Sequence, residues 1–431
     1  MSRSGFGGLK KTFAIITVFA LFMTVMSVWV KPEQVRAAAK TTVRVATSKQ
    51  LKSALKDPNV GTIILRTATV DPITISSKKA KKKNLIVDAE ESVITNKTKF
   101  KSITIVNVAG YIEDVSGNKI TLNTNRAFEV AAGRSVKKLT FDNVSPWLPL
   151  RYVLRDNASI KKIAFKDDGK VKDLGDGKFS VKKSVYEDEE YNVADYVMEF
   201  TFDKSGRITE ETSQNVSTDP DNEYNHIYKY EYYDNGNLYR LTTSNPVWAY
   251  DLTVESYYYD ENNNMTGYSE EYDDRPVCSY DYEYDDAGRM TSCRYIDEIR
   301  SREYKYSYDK KGRLVEEDGY FYDYVYGEEG LEEELTRSYT SKTTYTKQGY
   351  ELKITYDWGG DADAVKSVVT YTYDKAGNRT TYMSEDYYDS NDPSNNNVYR
   401  NEYEYDELGE LLNVYYVDSD GRRVNMDDIA G

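Results

Sequence analysis

The sequence predicts an all-β protein in two unlike halves: a short stack of β-branched strands, then an open antiparallel array of hairpins. Three observations carry this reading. Between about residues 196 and 424 an aromatic residue is followed four positions later by glycine, over and over. From Thr41 to about Phe165 short runs rich in Val, Ile and Thr recur instead, separated by Asn, Gly and Lys turns. The two stretches also carry opposite charge, +13 for residues 40–170 and −32 for residues 171–431, within a net charge of −15.

At 431 residues the chain is too long for one compact core, so separate units are expected. Residues 1–39 read as an export signal. Lys10 and Lys11 precede an apolar run from Thr12 to Val30, and "VRAAAK" offers small residues for cleavage after Ala37 or Ala39. Left uncut, residues 12–30 form a helix of about 28 Å that could anchor the chain in a bilayer. No later segment is apolar enough to cross a membrane, no cysteine follows closely enough to carry a lipid, and the tail "VNMDDIAG" is polar. The expected organisation is a signal over 1–39, a basic β-rich domain over 40–170 and an acidic, tyrosine-rich array over 171–431. Secretion, or display on the outer face of the cell envelope, follows. The opposite charges fit domains under different constraints, halves that attract each other, or a basic half that docks on an anionic polymer.

The hairpin series runs Phe202/Gly206, Tyr232/Gly236, Tyr284/Gly288, Tyr308/Gly312, Tyr326/Gly330, Tyr345/Gly349, Tyr373/Gly377, Tyr405/Gly409 and a truncated Val417/Gly421. Tyr259 is followed by Asn263, and asparagine is the next residue after glycine to tolerate positive φ. This points to three-residue loops, each a type I turn closed by a left-handed residue. The Asp after the aromatic, as in "YSYDKKGRL", can bond amides of its own turn. Period-2 alternation puts Tyr280, Tyr282 and Tyr284 on one face and Asp281 and Glu283 on the other, with Met290, Ser292 and Arg294 expected on the tyrosine side. A lone hairpin is marginal, so each tyrosine row is expected to bury against a neighbour or a second sheet. With 42 tyrosines, the rings supply the apolar surface and their hydroxyls can stay wet.

The phrase "YxYDxxGRL" resembles the YD-repeat, or rearrangement-hot-spot, family of exported bacterial proteins over about residues 196–424. The resemblance implies β-hairpin ribbons, which in some members coil into shells around a C-terminal toxin and in others serve surface attachment or carbohydrate binding. The repeats here are few for a closed shell, and about ten residues follow the last turn, so an open ribbon is what the resemblance implies. The basic half, with "GTIILRTATV", "NLIVDAEESVI", "SITIVNV" and "KKLTFDN" after one short helix at "SKQLKSALKD", resembles a short right-handed parallel β-helix of the pectin-lyase-like type. A small sandwich remains an alternative.

Cys278 and Cys293 are the only cysteines. If Asp285 pairs with Arg289, paired numbers sum to 574, so Cys293 faces Asp281 and Cys278 lies three residues on, toward the other face; no disulfide is expected. His226 is the only histidine and reads as a strand residue. Zinc constellations, phosphate-cradling loops and nucleophile motifs are absent, and neither cofactor, metal nor catalytic residue is expected. Asp88, Glu90 and Glu91 read as an ordinary turn, and "DYYDSNDPSNNN" lacks the pattern of an EF-hand.

The expected function is therefore a secreted, non-enzymatic binding protein for carbohydrate or an anionic cell-envelope polymer. Its alternatives are a polysaccharide lyase or hydrolase on the β-helix and a protein-binding surface scaffold with an envelope protein as partner. Candidate contacts are Tyr280, Tyr282, Tyr284, Tyr304, Tyr306 and Tyr308, whose rings suit sugar faces, and Lys78, Lys79, Lys81, Lys82 and Lys83, whose charges suit a polyanion. Nucleic acid is not expected, because no ring interleaves with those lysines.

Overall fold

The computed structural model describes residues 40–124, 126–166, 169–187, 192–216, 225–246, 252–327, 330–360, 366–388, 396–406, 411–418 and 421–426. The export segment 1–39, the corner glycine Gly409 and most of the 386–397 loop lie outside them. From Thr42 onward the chain forms one compact unit. It is all-β: an N-terminal parallel solenoid of about five turns, then a 19-stranded antiparallel sheet.

Parallel pairing decides against a sandwich. Ile63 aligns with Leu85, Leu85 with Ile103, Ile103 with Ile120, Ile120 with Leu139 and Leu139 with Ile163, all in parallel register. Every member of that column is buried. Each rung is too thin to bury its own aliphatic face, so stacking like on like supplies the core. Both ends are closed. The helix Ser48–Lys56 lays Leu51, Ala54 and Leu55 over the first rung behind a capping box of Thr47 and Gln50. At the other end the stack passes directly into the sheet, where Phe165 stacks on Phe200 with ring centroids 4.7 Å apart.

Gly206, Gly236, Asn263, Gly288, Gly312, Gly349, Gly377 and Gly421 all hold φ between 67° and 90°, the left-handed region the corner requires. At most of these corners the Asp just after the aromatic is a clip; Tyr233 stands there before Gly236 and Thr346 before Gly349. Asp285 Oδ1 accepts from the amides of Ala287 and Arg289, both at 2.9 Å, while its Oδ2 takes Arg289 Nε at 2.7 Å. Asp203, Asp260, Asp309 and Asp374 repeat this arrangement, with Asn264 and Asn378 standing in for arginine. Tyr326/Gly330 differs: Gly327 pairs directly with Gly330, and Gly330 begins the next strand.

The rest of the phrase ties one corner to the next. Tyr232, Tyr284, Tyr308 and Tyr345 donate their hydroxyls to the carbonyls of Ile208, Met265, Met290 and Leu314 in the preceding hairpins, at 2.5–2.8 Å. Arg207, Arg289 and Arg313 lie over the rings of Tyr232, Tyr308 and Tyr345 at 4.7–5.3 Å. Tyrosine, aspartate, glycine and arginine are thus a latch, a clip, a hinge and a lid. The hairpins lie side by side in one continuous sheet; the first tyrosine rows, with Tyr228, Tyr230 and Tyr257, bury in one cluster with the solenoid core, while later rows join edge to edge along the sheet.

The register differs from the expected one by a single residue. Tyr284 pairs with Met290 as anticipated, but a bulge follows, so Glu283 pairs with Ser292 and Tyr282 with Cys293. The same slip occurs at Phe202, Tyr232, Tyr259, Tyr308, Tyr345, Tyr373 and Tyr405. It moves Ser292 and Arg294 to the charged side, opposite Glu283 and Asp281, and brings Cys293 and Tyr295 to the tyrosine side. Cys278 and Cys293 therefore share a face. Both are free thiols, and Cys278 sits four residues along the strand from Tyr282, the partner of Cys293, a separation of about 13 Å.

The corners also fasten the sheet to the solenoid. Ser205 and Gly206 accept from Ile160 N at 2.8 Å and Tyr152 Oη at 2.6 Å near the last rungs. Further on, Arg313 faces Asp71 at 4.0 Å and Gly349 accepts from Val70 N at 3.2 Å. Tyr350 then donates to Ala46 O at 3.4 Å, and Arg44 to Ala376 O at 3.3 Å, beside the N-terminal cap. Successive corners thus run back along the solenoid from its last rung to its first. Attraction between the halves is a minor part of this interface, represented by Arg151 on Glu255 at 2.9 Å beside the longer Arg313–Asp71 pair; backbone bonds and apolar packing form most of it.

Candidate functional site

The bulge that shifts the register also aligns the rings. Tyr257, Tyr268, Tyr280, Tyr295, Arg302, Phe321 and Arg337 occupy directly opposed positions on consecutive strands. Opposed residues in an antiparallel pair share a face, so these form one row across the sheet. Ring centroids are 5.3 Å apart from Tyr257 to Tyr268, 5.8 Å to Tyr280 and 4.8 Å to Tyr295. The Arg302 guanidinium bridges Tyr295 and Phe321 at 5.9 and 5.6 Å. A second row, Tyr282, Cys293, Tyr304, Gly319, Tyr339 and Trp358, runs beside it. Small residues alternate with rings as far as Tyr339, which then meets Trp358 directly, and at Gly319 the Tyr339 ring covers the place a Cβ would take.

All six expected tyrosines lie on this face and all are half-buried. Tyr280 and Tyr282 stand parallel, 5.9 Å apart at an interplanar angle of 6°. Tyr304 meets Phe321 edge-on at 6.2 Å. Tyr284 and Tyr308 are latched to the preceding hairpins, which leaves Tyr280, Tyr282, Tyr304 and Tyr306 as the better placed. Sequence reasoning missed Tyr257, Tyr268, Tyr295, Arg302, Phe321, Tyr339 and Trp358. The slip of one residue after each corner, visible only in the pairing, is what collects them into rows.

The rings are held in place by carboxylates on their own face. Tyr268 donates to Glu270 at 3.1 Å and Tyr295 to Asp297 at 2.8 Å; Tyr257 donates to Glu255 and Tyr339 to Glu317. Burial first, then the neighbouring carboxylate, pushes the Tyr295 phenol up to about 12. Burial raises Tyr282 and Tyr306 further still, so all stay protonated donors at neutral pH. Such a surface offers flat, rigid rings with acceptors alongside, which suits sugar faces and their hydroxyls. Among the described residues no three His, Cys, Asp or Glu side chains gather as a metal site. His226 is half-buried at the start of strand His226–Tyr232, against Tyr228 at 5.8 Å.

No family matches this chain. No curated protein does either. Among solved structures the chain is similar to the Tc holotoxin pore of Photorhabdus luminescens, with 14% identity and a TM-score of 0.27 over 56% of this chain and 15% of that one. It is also similar to a porin-like protein from Bacteroides uniformis, with 12% identity and a TM-score of 0.20 over 56% of this chain and 93% of that one. The chain spans well under two thirds of the toxin chain.

The lysine run of residues 78–83 divides. Lys78, Lys79, Lys81 and Lys82 are exposed on a solenoid corner. Lys83 is not: it is 4% exposed, and its Nζ donates to the carbonyls of Val60, at 2.7 Å, and Asp57. That ammonium closes the end of the helix and its following turn, so Lys83 belongs to the scaffold.

Proposed function

We propose that this is a secreted or surface-displayed, non-enzymatic protein of the YD-repeat type that binds carbohydrate or a cell-envelope polymer on the aromatic face of its sheet. The observation that supports this is the row Tyr257–Tyr268–Tyr280–Tyr295–Arg302–Phe321, continuous across six strands and half-buried beyond Tyr257. A binding face of rings set side by side fits an extended chain of sugars better than a single one, because each ring can stack on its own residue. The guanidiniums of Arg302 and Arg337 add donors between the rings, and Glu255, Glu270, Asp297 and Glu317 add acceptors.

A glycan array with the full-length protein tests the reading. Binding that falls by about thirtyfold in Tyr280→Ala/Tyr295→Ala, at unchanged melting, is the expected result; each lost ring removes on the order of 1 kcal/mol of stacking, about 2 kcal/mol for the pair. Release of reducing ends or unsaturated products from the same glycans would replace this reading with a lyase or hydrolase. Array-wide silence alongside capture of an envelope protein would replace it with a scaffold.

A further inference from the structure

The parallel register gathers lysines that are far apart in sequence. Lys119 pairs with Lys138, and Leu139 N donates to Lys162 O at 2.9 Å, placing Lys162 above Lys138 on the next rung. One residue earlier on each rung, Lys101 N bonds Lys83 O, Lys137 N bonds Asn118 O and Lys161 N bonds Val136 O, at 2.8–2.9 Å. Lys101, Lys119, Lys137, Lys138, Lys161 and Lys162 therefore form one ridge across four consecutive rungs, each about 5 Å from the next. Five of the six are exposed and Lys138 is half-buried. The exposed corner of Lys81 and Lys82 extends the ridge one rung further.

Counter-charge is lacking on this ridge. Among the described residues none of the six has an ion-pair partner, while the acids on the same face are satisfied elsewhere, Asp88 by Arg66 at 2.6 Å and Asp142 by Lys166 at 2.9 Å. Stacking like charges on successive rungs about 5 Å apart is unfavourable, and a polyanion laid along the ridge relieves it. The neighbouring outward residues are Ser102, Thr104, Thr121 and Thr140, so no ring stands by to stack a base.

We infer that the solenoid binds a linear, base-free phosphodiester polymer of the polyol-phosphate kind along this ridge. The inference rests on the envelope-polymer reading above but uses different residues, on a different half of the chain. Charge complementarity and linear repetition carry it. A flexible polyol chain can turn every phosphate toward one line of ammonium groups, whereas a stiff polyuronate turns successive carboxylates to different sides of its axis. Lysine acts as a point charge on phosphate and needs no fixed fork geometry.

The test is binding of full-length protein to poly(glycerol phosphate), with single-stranded DNA and a polyuronate as competitors, across a salt series. The wild type should bind the polyol phosphate more tightly than either competitor. Lys119→Gln/Lys138→Gln/Lys162→Gln should weaken binding about tenfold at low salt and flatten the slope of log K against log salt by roughly 2, from about 0.7 per phosphate contact. The triple arginine variant should bind like wild type. Unchanged binding in the glutamine variant would overturn the inference, as would no binding by wild type, or equal binding of DNA or polyuronate. Tyr280→Ala/Tyr295→Ala should leave polyol-phosphate binding intact, so failure of the aromatic face and failure of the ridge are separately visible.

Discussion

Alanine at a hairpin corner isolates the backbone term on which the sheet depends. Gly288 has φ of 75°, and a Cβ there would meet only Asn264 Oδ1 at 3.5 Å, an ordinary contact. Gly288→Ala should therefore cost just the left-handed penalty, about 1–2 kcal/mol. Gly236 has φ of 90°, but its Cβ would land on the Leu154 carbonyl oxygen in the last solenoid rungs. Gly236→Ala adds a backbone clash and should cost at least about 1 kcal/mol more, since neither backbone can yield cheaply. Gly288→Asn should cost less than Gly288→Ala, because Asn263 already fills the equivalent place at φ of 67°. Hydrogen exchange of the strands flanking each corner, 275–284 and 290–297 for Gly288 and 226–232 and 238–244 for Gly236, is the assay, because local opening reports one hairpin where a global melt averages the array. Equal protection in all three variants would refute the reasoning, as would a Gly236→Ala no worse than Gly288→Ala.

Other expectations follow from buried and clipped groups. Burial raises Glu211 to about 8 and Glu113 to about 7, so the native state keeps protons that the unfolded chain releases near 4.5. Stability is then fullest below about pH 4.5 for these two groups and falls as pH rises to about 7 and 8. Glu211→Gln should flatten that fall in a denaturant titration repeated from pH 5 to 9, and an unchanged slope would contradict the assignment. Lys83→Met strands two carbonyls behind the helix and should cost about 2 kcal/mol in urea melts, against near zero for the exposed Lys81→Met. Asp309→Ala should speed exchange of the Lys311 and Arg313 amides that it holds at 2.8 and 3.0 Å, leaving distant hairpins unchanged.

The corners were legible in the sequence because everything that makes them is local. A positive φ, an Asp reaching two amides ahead and a following Arg or Asn fit within five residues. The solenoid strands were legible for the same reason, from β-branched runs set between turns. The slip after each corner was not, since a bulge leaves no residue type behind and shows only in pairing; it alone sent Arg294 to the wrong face and hid the ring row. The direct pairing of Gly327 with Gly330 escaped because the spacing of Tyr326 and Gly330 mimics the longer loop. Lys83 escaped because five lysines in one run look alike until one meets the carbonyls of Asp57 and Val60. The return of the sheet along the solenoid joins Thr69 to Gln348, a contact no local pattern announces.

Register is the claim on which both the corner mechanism and the aromatic face stand, and a cysteine pair reads it directly. Opposed residues place their Cβ atoms about 5 Å apart, close enough for a disulfide after slight adjustment, whereas a residue one position along points to the other face. In a Cys278→Ser background, Tyr282→Cys should oxidise to a crosslink with Cys293, seen by peptide mapping, and Asp281→Cys should not. Crosslinking through position 281 but not 282 would contradict the bulged corner, and with it the alignment of the rings.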